Sequence, residues 1–285
     1  MNAVRPLTSS ASSLLKQTGL YARLRNSCVQ DLYWRVNNRE MIDARNRQVQ
    51  FYRGLLRGFR KSDLVFDIGA NVGQKTDVFL RLGARVVAVE PDERNQQVLR
   101  GKFIKYRFFR KPVCIVGKAV SDEVAVKPMW IDGPGSALNT LSTKWVDTLR
   151  GNRARFSHTP DALEFREKRS VETTTLEELI NEHGFPFFVK IDVEGHELSV
   201  LRGLRRPVPY VSFEVNLPEF REEGLQCLTI LQSLDPEGQA NYVLDCGRGA
   251  VLEHWANAQE LTEIVRECTD PCIEVLWRSS AQRDV

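Results

Sequence analysis

Short apolar runs alternate with amphipathic stretches along the chain from about residue 62 onward. Apolar runs of strand length predict buried strands, and apolar positions with a period of roughly 3.6 residues predict helices. Strands interleaved with helices in this way are typical of a mostly parallel, doubly wound α/β sheet. We predict a seven-stranded sheet, whose strands include Leu64–Phe66, Arg85–Val89, a third region over 113–120, Phe187–Asp192, Val208–Val215 and two antiparallel edge strands, Tyr242–Leu244 and Ile273–Trp277.

Two parts of the chain depart from this alternation. Residues 1–61 are predicted to form a basic, helical N-terminal extension, followed by the main domain over residues 62–285. Residues 133–170 are rich in turn-forming and charged side chains, which indicates an insertion or loop region within that domain. We expect the extension and the insertion to shape the substrate pocket.

The composition is that of an ordinary globular protein, since 42% of the 285 residues are hydrophobic and 27% are charged. No apolar run approaches the roughly 18 residues that a membrane span needs, and the first residues lack the apolar core of a secretory signal. Six thinly spread cysteines favour reduced thiols in a cytoplasmic protein. Only Cys268 and Cys272 lie close in sequence, and without a second such pair they predict no metal site.

Positive charge is concentrated in the predicted extension. Residues 1–61 hold 12 Lys/Arg and 3 Asp/Glu, a balance of 12 − 3 = +9, whereas the rest of the chain has a balance of 28 − 34 = −6. A basic segment on an acidic body could meet nucleic acid, anionic lipid or an anionic substrate. We favour the simpler interpretation of a solvated helical face.

A glycine-containing loop follows the first predicted strand, where ligands bind in open α/β sheets. Gly69 and Gly73 permit a tight turn and a close approach of the backbone to a ligand. A dinucleotide fingerprint needs a second glycine where this chain has Asn71, so the loop is a poor pyrophosphate cradle. Asp67 suits a ligand with an ammonium or sulfonium group. Glu90, at the end of the second strand, lies where an acid usually accepts hydrogen bonds from ribose hydroxyls.

A second cluster of polar residues lies in the sequence KIDVEGHE, residues 190–197. Alternate residues of a strand share a face, so Lys190 and Asp192 are predicted to lie together. A buried charged pair is either functional or a structural salt bridge at the strand end, and both interpretations stay open. His196 is predicted to be a surface residue at a helix N-terminus.

At these residues the chain resembles the FkbM-type methyltransferases. The segments LVFDIGANVGQKT, AVEPDE, AVSDE, VETTTLEELI, FFVKIDVEGHELSVLRGL and VSFEV follow one another in that family's order. The resemblance runs from about residue 49 to the last predicted strand, and KIDVEGHE is its most specific part. It implies a Rossmann-like, S-adenosylmethionine-dependent methyltransferase that acts on a hydroxyl group of a small molecule, a sugar or a glycolipid.

The resemblance also implies a role for each motif residue. The cofactor-binding residues would be Asp67, Gly69, Asn71 and Gly73 for the methionine end, Glu90 for the ribose, and Ser121 with Asp122 for the adenine. The catalytic residues would be Lys190, Asp192 and Glu194, beside the sulfonium where the acceptor enters. An alcohol must lose a proton when it is methylated, so we predict Asp192 as the general base, with Lys190 holding its orientation or stabilising the developing charge.

Two other functions stay open at this point. A nicotinamide-dependent oxidoreductase would use the same sheet, but Asn71 in the glycine loop disfavours it. A nucleic-acid-binding protein or nucleic-acid methyltransferase would use the basic extension, although the chain lacks the interleaved aromatic and basic residues of a known RNA-binding module. We therefore expect a small-molecule or glycan acceptor in preference to nucleic acid.

Overall fold

The computed structural model describes residues 39–104, 106, 112–151 and 165–280. The first 38 residues of the predicted extension, and residues 152–164 of the predicted insertion, lie outside the described part. The helices are α1 (Arg39–Leu55), α2 (Gln74–Leu82), α3 (Glu93–Lys102), α4 (Thr143–Gly151), α5 (Leu176–His183), α6 (Glu197–Arg202), α7 (Arg221–Leu234) and α8 (Ala258–Glu267). The strands are β1 (Leu64–Ile68), β2 (Arg85–Val89), β3 (Val113–Val116), β4 (Ala119–Val120), β5 (Val126–Ile131), β6 (Glu167–Thr174), β7 (Phe188–Ile191), β8 (Tyr210–Asn216), β9 (Gln239–Val243), β10 (Ala256–Asn257) and β11 (Cys272–Arg278). None of these helices combines the length and the apolar character needed to cross a lipid bilayer.

The main sheet has eight strands in the order β10-β9-β11-β8-β7-β1-β2-β3. Strands β8, β7, β1, β2 and β3 are parallel, and β11 runs antiparallel between β8 and β9. The predicted α/β fold with a mostly parallel sheet is confirmed. Two details of the prediction are wrong. The two-residue β10 adds an eighth strand, and β11 lies inside the sheet instead of at its edge.

A smaller sheet, in the order β4-β6-β5, lies beside the main one. The predicted third strand region over 113–120 is divided between the two sheets, because β3 pairs with β2 whereas β4 pairs with β6. The segment 133–170, predicted as insertion or loop, contains α4 and the start of β6. Helix α4 forms because Trp145, Val146 and Leu149 share one buried face.

The two faces of the main sheet are covered by different helices. On one face, α5, α6, α7 and α8 pack against β-strand side chains such as Phe66, Val189 and Phe213. On the other face, α1 and α2 contribute Tyr52 and Phe79 to an apolar cluster over the amino-terminal halves of the strands. The rings of Tyr52 and Phe79 meet edge to face, with centroids 5.1 Å apart.

On the face covered by α1 and α2, the apolar pattern gives way to polar side chains toward the carboxyl-terminal ends of the parallel strands. Strands β1, β7 and β8 each have an apolar residue first and a polar residue two positions later, as in Val65 and Asp67 or Phe188 and Lys190. Cross-strand register aligns these polar residues. We call the resulting row the polar stripe, and its members are Asp67, Lys190, Ser212, Glu214 and Glu274.

Candidate active site

A cleft lies at the carboxyl-terminal ends of β1, β2 and β7. The chain passes from β1 to β2 and β3 on one side and returns to place β7 on the other, which makes this edge the switch point where such sheets bind ligands. The cleft has a volume of about 190 Å³. The predicted site residues that line it are Gly69, Asn71, Glu90, Asp192 and Glu194. The predicted site residues that are not among its lining are Asp67, Gly73, Ser121, Asp122 and Lys190.

The glycines of the loop after β1 serve contacts within the protein. Gly69 has a φ of 80°, and a Cβ atom there would lie 1.8 Å from the carbonyl oxygen of Asp192. Gly73 has a φ of 73°, and its Cβ would lie 2.6 Å from side-chain atoms of Leu99 and Phe103. The absence of a Cβ atom at these two positions therefore allows close packing against the end of β7 and against α3, while Gly69 also lines the cleft. Asn71, with a φ of 48°, adopts the left-handed conformation that asparagine tolerates better than most residues.

Asp67 is buried beneath this loop. Only 2% of the residue is exposed, and its Oδ2 accepts a hydrogen bond from Thr76 Oγ1 at 2.5 Å. Burial raises the pKa of Asp67, although the hydrogen bond from Thr76 and the charge of Lys190 work in the opposite direction. Asp67 thus joins β1 to α2 instead of lining the cleft, because side chains at this position point into the α1/α2 face.

Glu90 follows β2 and lines the cleft as predicted. Its two carboxyl oxygens accept backbone hydrogen bonds from Asn71 N–H and Asp92 N–H, each at 2.8 Å. Each oxygen retains a second lone pair, so the group can still accept bonds from two hydroxyl donors. Burial raises the pKa of Glu90 to about 7. The carboxyl is therefore held rigidly and titrates near neutral pH.

Ser121 and Asp122 lie in a hydrogen-bonded cluster behind the cleft wall. Ser121 is fully buried, and its Oγ lies 3.0 Å from Nε2 of His196 and accepts a bond from Lys127 Nζ. The hydrogen bond from Lys127 lowers the pKa of Asp122 to about 2. The adjoining residues Lys118–Val120 line the cleft in their place.

His196 is not the exposed surface residue that the sequence predicts. It is half-buried, lines the cleft and precedes α6 as the N-cap residue. Burial, followed by the positive charge of Lys127, lowers the pKa of His196 to about 4. The imidazole is therefore neutral at physiological pH and contributes hydrogen bonding, not charge, to the cleft.

Lys190 and Asp192 lie together, as their spacing predicts. Lys190 Nζ is 3.1 Å from Asp192 Oδ2 and 3.8 Å from Glu274 Oε1, and only 3% of the Lys190 side chain is exposed. Burial disfavours the ammonium form, but the two carboxylates outweigh it and raise the pKa of Lys190 well above its ordinary value. Burial likewise disfavours the Asp192 carboxylate, yet the charge of Lys190 holds the pKa of Asp192 below its ordinary value. Both groups are therefore ionised, and of the two only Asp192 lines the cleft.

Two further carboxyl groups surround Asp192. Glu194, with a φ of 54°, lines the cleft, and Glu214 extends from β8; their carboxyl oxygens and those of Asp192 lie within 4.8 Å of one another. Burial raises the pKa of Glu214 to about 8, and burial together with the charge of Asp192 raises the pKa of Glu194. Such oxygens also suit a divalent cation, so the absence of a metal site stays a prediction. Sequence reasoning missed Glu214, although its place two residues after Ser212 on β8 was a usable signal.

A loop from the predicted insertion closes one side of the cleft. Asn139 donates from Nδ2 to Asp92 Oδ2 at 3.1 Å, beside Glu90. Thr140, only 2% exposed, donates from Oγ1 to the carbonyl oxygen of Glu194 at 2.7 Å. The loop thus connects the Glu90 end of the cleft to the Asp192 end. Its contacts span 47 and 54 residues of sequence, and no local pattern predicts them.

One family model and several solved structures are similar to this chain. The family model for the methyltransferase FkbM domain matches residues 67–248. Among solved structures, the chain is similar to precorrin-6y C5,15-methyltransferase from Geobacter metallireducens GS-15, at 12% identity over 84% of this chain and 87% of that one, with a TM-score of 0.40. It is also similar to a TehB-like SAM-dependent methyltransferase from Corynebacterium glutamicum, at 8% identity over 82% and 88% of the two chains, with a TM-score of 0.39. No curated protein matches in sequence. Because the family model covers more than half of the chain, the resemblance is confirmed: this protein belongs to the FkbM methyltransferase family and is an S-adenosylmethionine-dependent methyltransferase.

Proposed function

We propose that the protein methylates a hydroxyl oxygen of a small molecule, a sugar or a glycolipid. The observation that carries this proposal is the ionised Asp192 carboxylate at the cleft wall, held by Lys190 at 3.1 Å. A hydroxyl group is a poor nucleophile until its proton is removed, whereas a neutral amine attacks without such help. A charged carboxylate at the acceptor end is therefore the group that an O-methyltransferase needs.

The residues of the cleft fit S-adenosylmethionine. Glu90 would hold the ribose hydroxyls with the free lone pairs of its carboxyl oxygens. The apolar side chains of Ile68, Val89, Val120 and Met129 offer walls for the adenine ring. Asp192 and Glu194 supply negative charge at the sulfonium end. When bound, the cofactor supplies a methyl group on a positively charged sulfur, an electrophile that already has a good leaving group.

The chain's own residues then have three tasks at the acceptor end. Asp192 accepts the hydroxyl proton as the new oxygen–carbon bond forms. Lys190 keeps Asp192 ionised and fixes its direction through the 3.1 Å contact. Thr140 holds the backbone of Glu194 through its carbonyl oxygen and so keeps the cleft wall in place. Alignment of the acceptor with the methyl group supplies most of the remaining acceleration.

A panel of acceptors tests the proposal. The full chain with S-adenosylmethionine would be incubated with alkyl glycosides, a glycolipid extract, hydroxylated polyketide lactones, primary amines and RNA, and S-adenosylhomocysteine formation would be measured. We expect product only with hydroxyl-bearing small molecules, with the methyl group on oxygen by mass spectrometry and NMR. Turnover confined to amines would overturn O-methylation, and turnover on RNA with a steep salt dependence would restore the nucleic-acid alternative.

Cofactor affinity is expected to depend on the ionisation of Glu90. Since the pKa of Glu90 is about 7, the carboxylate that accepts the ribose hydroxyls is lost as the pH falls through that value. We expect the affinity for S-adenosylhomocysteine to be about tenfold lower at pH 6 than at pH 8. Glu90→Gln should bind about ten- to hundredfold more weakly at pH 8 and lose this part of the pH dependence. Titration calorimetry of both proteins at the two pH values measures these affinities. If the affinity depended on pH equally in both proteins, Glu90 would be excluded from the ribose site.

A further inference from the structure

The carboxyl groups of Asp192 and Glu214 lie side by side at the end of the polar stripe. Asp192 directly follows β7, Glu214 lies on the neighbouring parallel strand β8, and a carboxyl oxygen of each is within 4.8 Å of the other. Two carboxylates so close together disfavour each other's ionisation, so one of the two groups keeps a proton more readily than an isolated carboxyl group would.

The surroundings of the pair indicate which residue carries this proton. Lys190 lies 3.1 Å from Asp192 Oδ2, and its second ion pair is with Glu274. Glu214 has a different neighbour, the thiol of Cys272, which donates to Glu214 Oε1 at 2.7 Å. The ammonium group stabilises a negative charge on Asp192, whereas an uncharged thiol gives Glu214 far less support as an anion. The charge thus belongs on Asp192 and the proton on Glu214.

We propose that Glu214 carries the proton of this carboxyl pair and thereby sets the charge that the cleft wall presents to the cofactor's sulfur. The inference rests on the proposed function, since it concerns the same cleft. While the proton stays, Asp192 is the single ionised member of the pair. When the proton leaves, a second negative charge appears beside it and attracts the sulfonium of S-adenosylmethionine, but not the neutral sulfur of S-adenosylhomocysteine. Glu214 is therefore a residue that determines how strongly the enzyme prefers substrate cofactor over product.

Other titratable groups face Glu214 and act on the same proton. Burial raises the pKa of Glu214 to about 8, the charge of Asp192 adds to this, and Lys190 opposes it. The groups around the pair are Lys190 from β7, Glu194 from the loop that contains Asp192, and Cys272 and Glu274 from β11. Tyr52 from α1 and Lys75 from α2 lie farther along the polar stripe and act on Glu274. Burial opposes the charged form of Glu274, but Lys190 and Lys75 outweigh it and hold its pKa below the ordinary value, so Glu274 is ionised.

Infrared spectroscopy of the ligand-free protein tests the position of the proton. At pH 7, Glu214→Gln should remove the carbonyl band of one protonated carboxyl group relative to wild type. Glu274→Gln is the matched control, because Glu274 lies directly across from Glu214 on β11 but is ionised, and it should remove no such band. A Glu214→Gln spectrum that retains the full band would overturn the proposal.

Binding of the two cofactor forms tests the consequence. We expect the ratio of S-adenosylmethionine to S-adenosylhomocysteine affinity in wild type to rise by about tenfold between pH 7 and pH 9, relative to the same ratio in Glu214→Gln. Comparing the two proteins at each pH cancels the titration of the ligands themselves, and a merely structural role of Glu214 would not change the ratio. Equal pH dependence in both proteins would overturn the proposal. If neither ligand bound wild type, the proposed function would fail, while the infrared result would still decide where the proton lies.

Discussion

Asparagine in place of Asp192 is expected to slow methyl transfer by about two to four orders of magnitude. The substitution keeps the shape of the side chain but removes the charge that accepts the hydroxyl proton. Affinity for S-adenosylhomocysteine should change little, because Glu90 and the apolar walls of the cleft are untouched. Single-turnover rates with the acceptor identified by the panel, and calorimetry with the product cofactor, measure the two effects separately.

Stability must be measured on the same Asp192→Asn protein, since Lys190 loses one of its two carboxylate partners. A fall in rate with a nearly unchanged denaturant midpoint would identify Asp192 as the base. Asp63→Asn is the matched control, because Asp63 precedes β1 at the opposite edge of the sheet and should give wild-type rates. A folded Asp192→Asn enzyme that transfers methyl groups as fast as wild type would eliminate the catalytic assignment.

Lys190→Met is expected to lower the free energy of unfolding by about 3–5 kcal/mol at neutral pH. Methionine fills a similar volume, but it leaves the Glu274 carboxylate, which is 13% exposed, and the half-buried Asp192 carboxylate without their shared ammonium partner. Lys144→Met is the control, because the Lys144 side chain is about half exposed and its ion pair with Glu223 should contribute less than about 1 kcal/mol. Denaturant unfolding of the three proteins gives the comparison.

The pH dependence of the Lys190→Met deficit has a defined sign. In wild type the pKa values of Asp192 and Glu274 are held below their ordinary values, so their contribution to stability is present at neutral pH and is lost as the pH falls through those lowered values. In the variant, burial without the ammonium makes both groups take up protons at higher pH. The deficit should therefore narrow toward acidic pH, and a deficit independent of pH would show that packing, not charge, was lost.

The main sheet could be predicted because its signal is local. β1, β2 and β7 are short apolar runs with one charged residue each. Helix α2 ends at Gly83, and α5 begins at the N-cap residue Thr175, so both boundaries have a local signal. The predicted number of strands is one too low because β10 has only two residues. The position of β11 within the sheet depends on its pairing with β8 and β9, which no local pattern predicts. Helix α4 was missed because it occupies nine residues within a segment dominated by turn-forming and charged side chains.

The candidate site shows the same division between local and distant information. The contact between Lys190 and Asp192 follows from the two-residue period of a strand, and the place of Glu90 follows from the end of β2. The direction of Asp67 does not follow from its motif, because a strand residue next to a loop can point either to the cleft or into the helix layer. Thr140 and Asn139 reach the cleft only through tertiary contacts, so the neighbouring sequence does not predict their place in the site.

Helix α1 precedes the first residue matched by the family model, yet it closes the space above the polar stripe. Tyr52 is fully buried, packs against Phe79 and donates its hydroxyl to Glu274 at 3.4 Å. The packed structure therefore begins earlier in the chain than the segment that the family model matches. A gene fusion or a proteolytic cut near residue 61 would retain every described strand and every motif. It would remove α1, however, and so expose the Lys190 ion pairs to water.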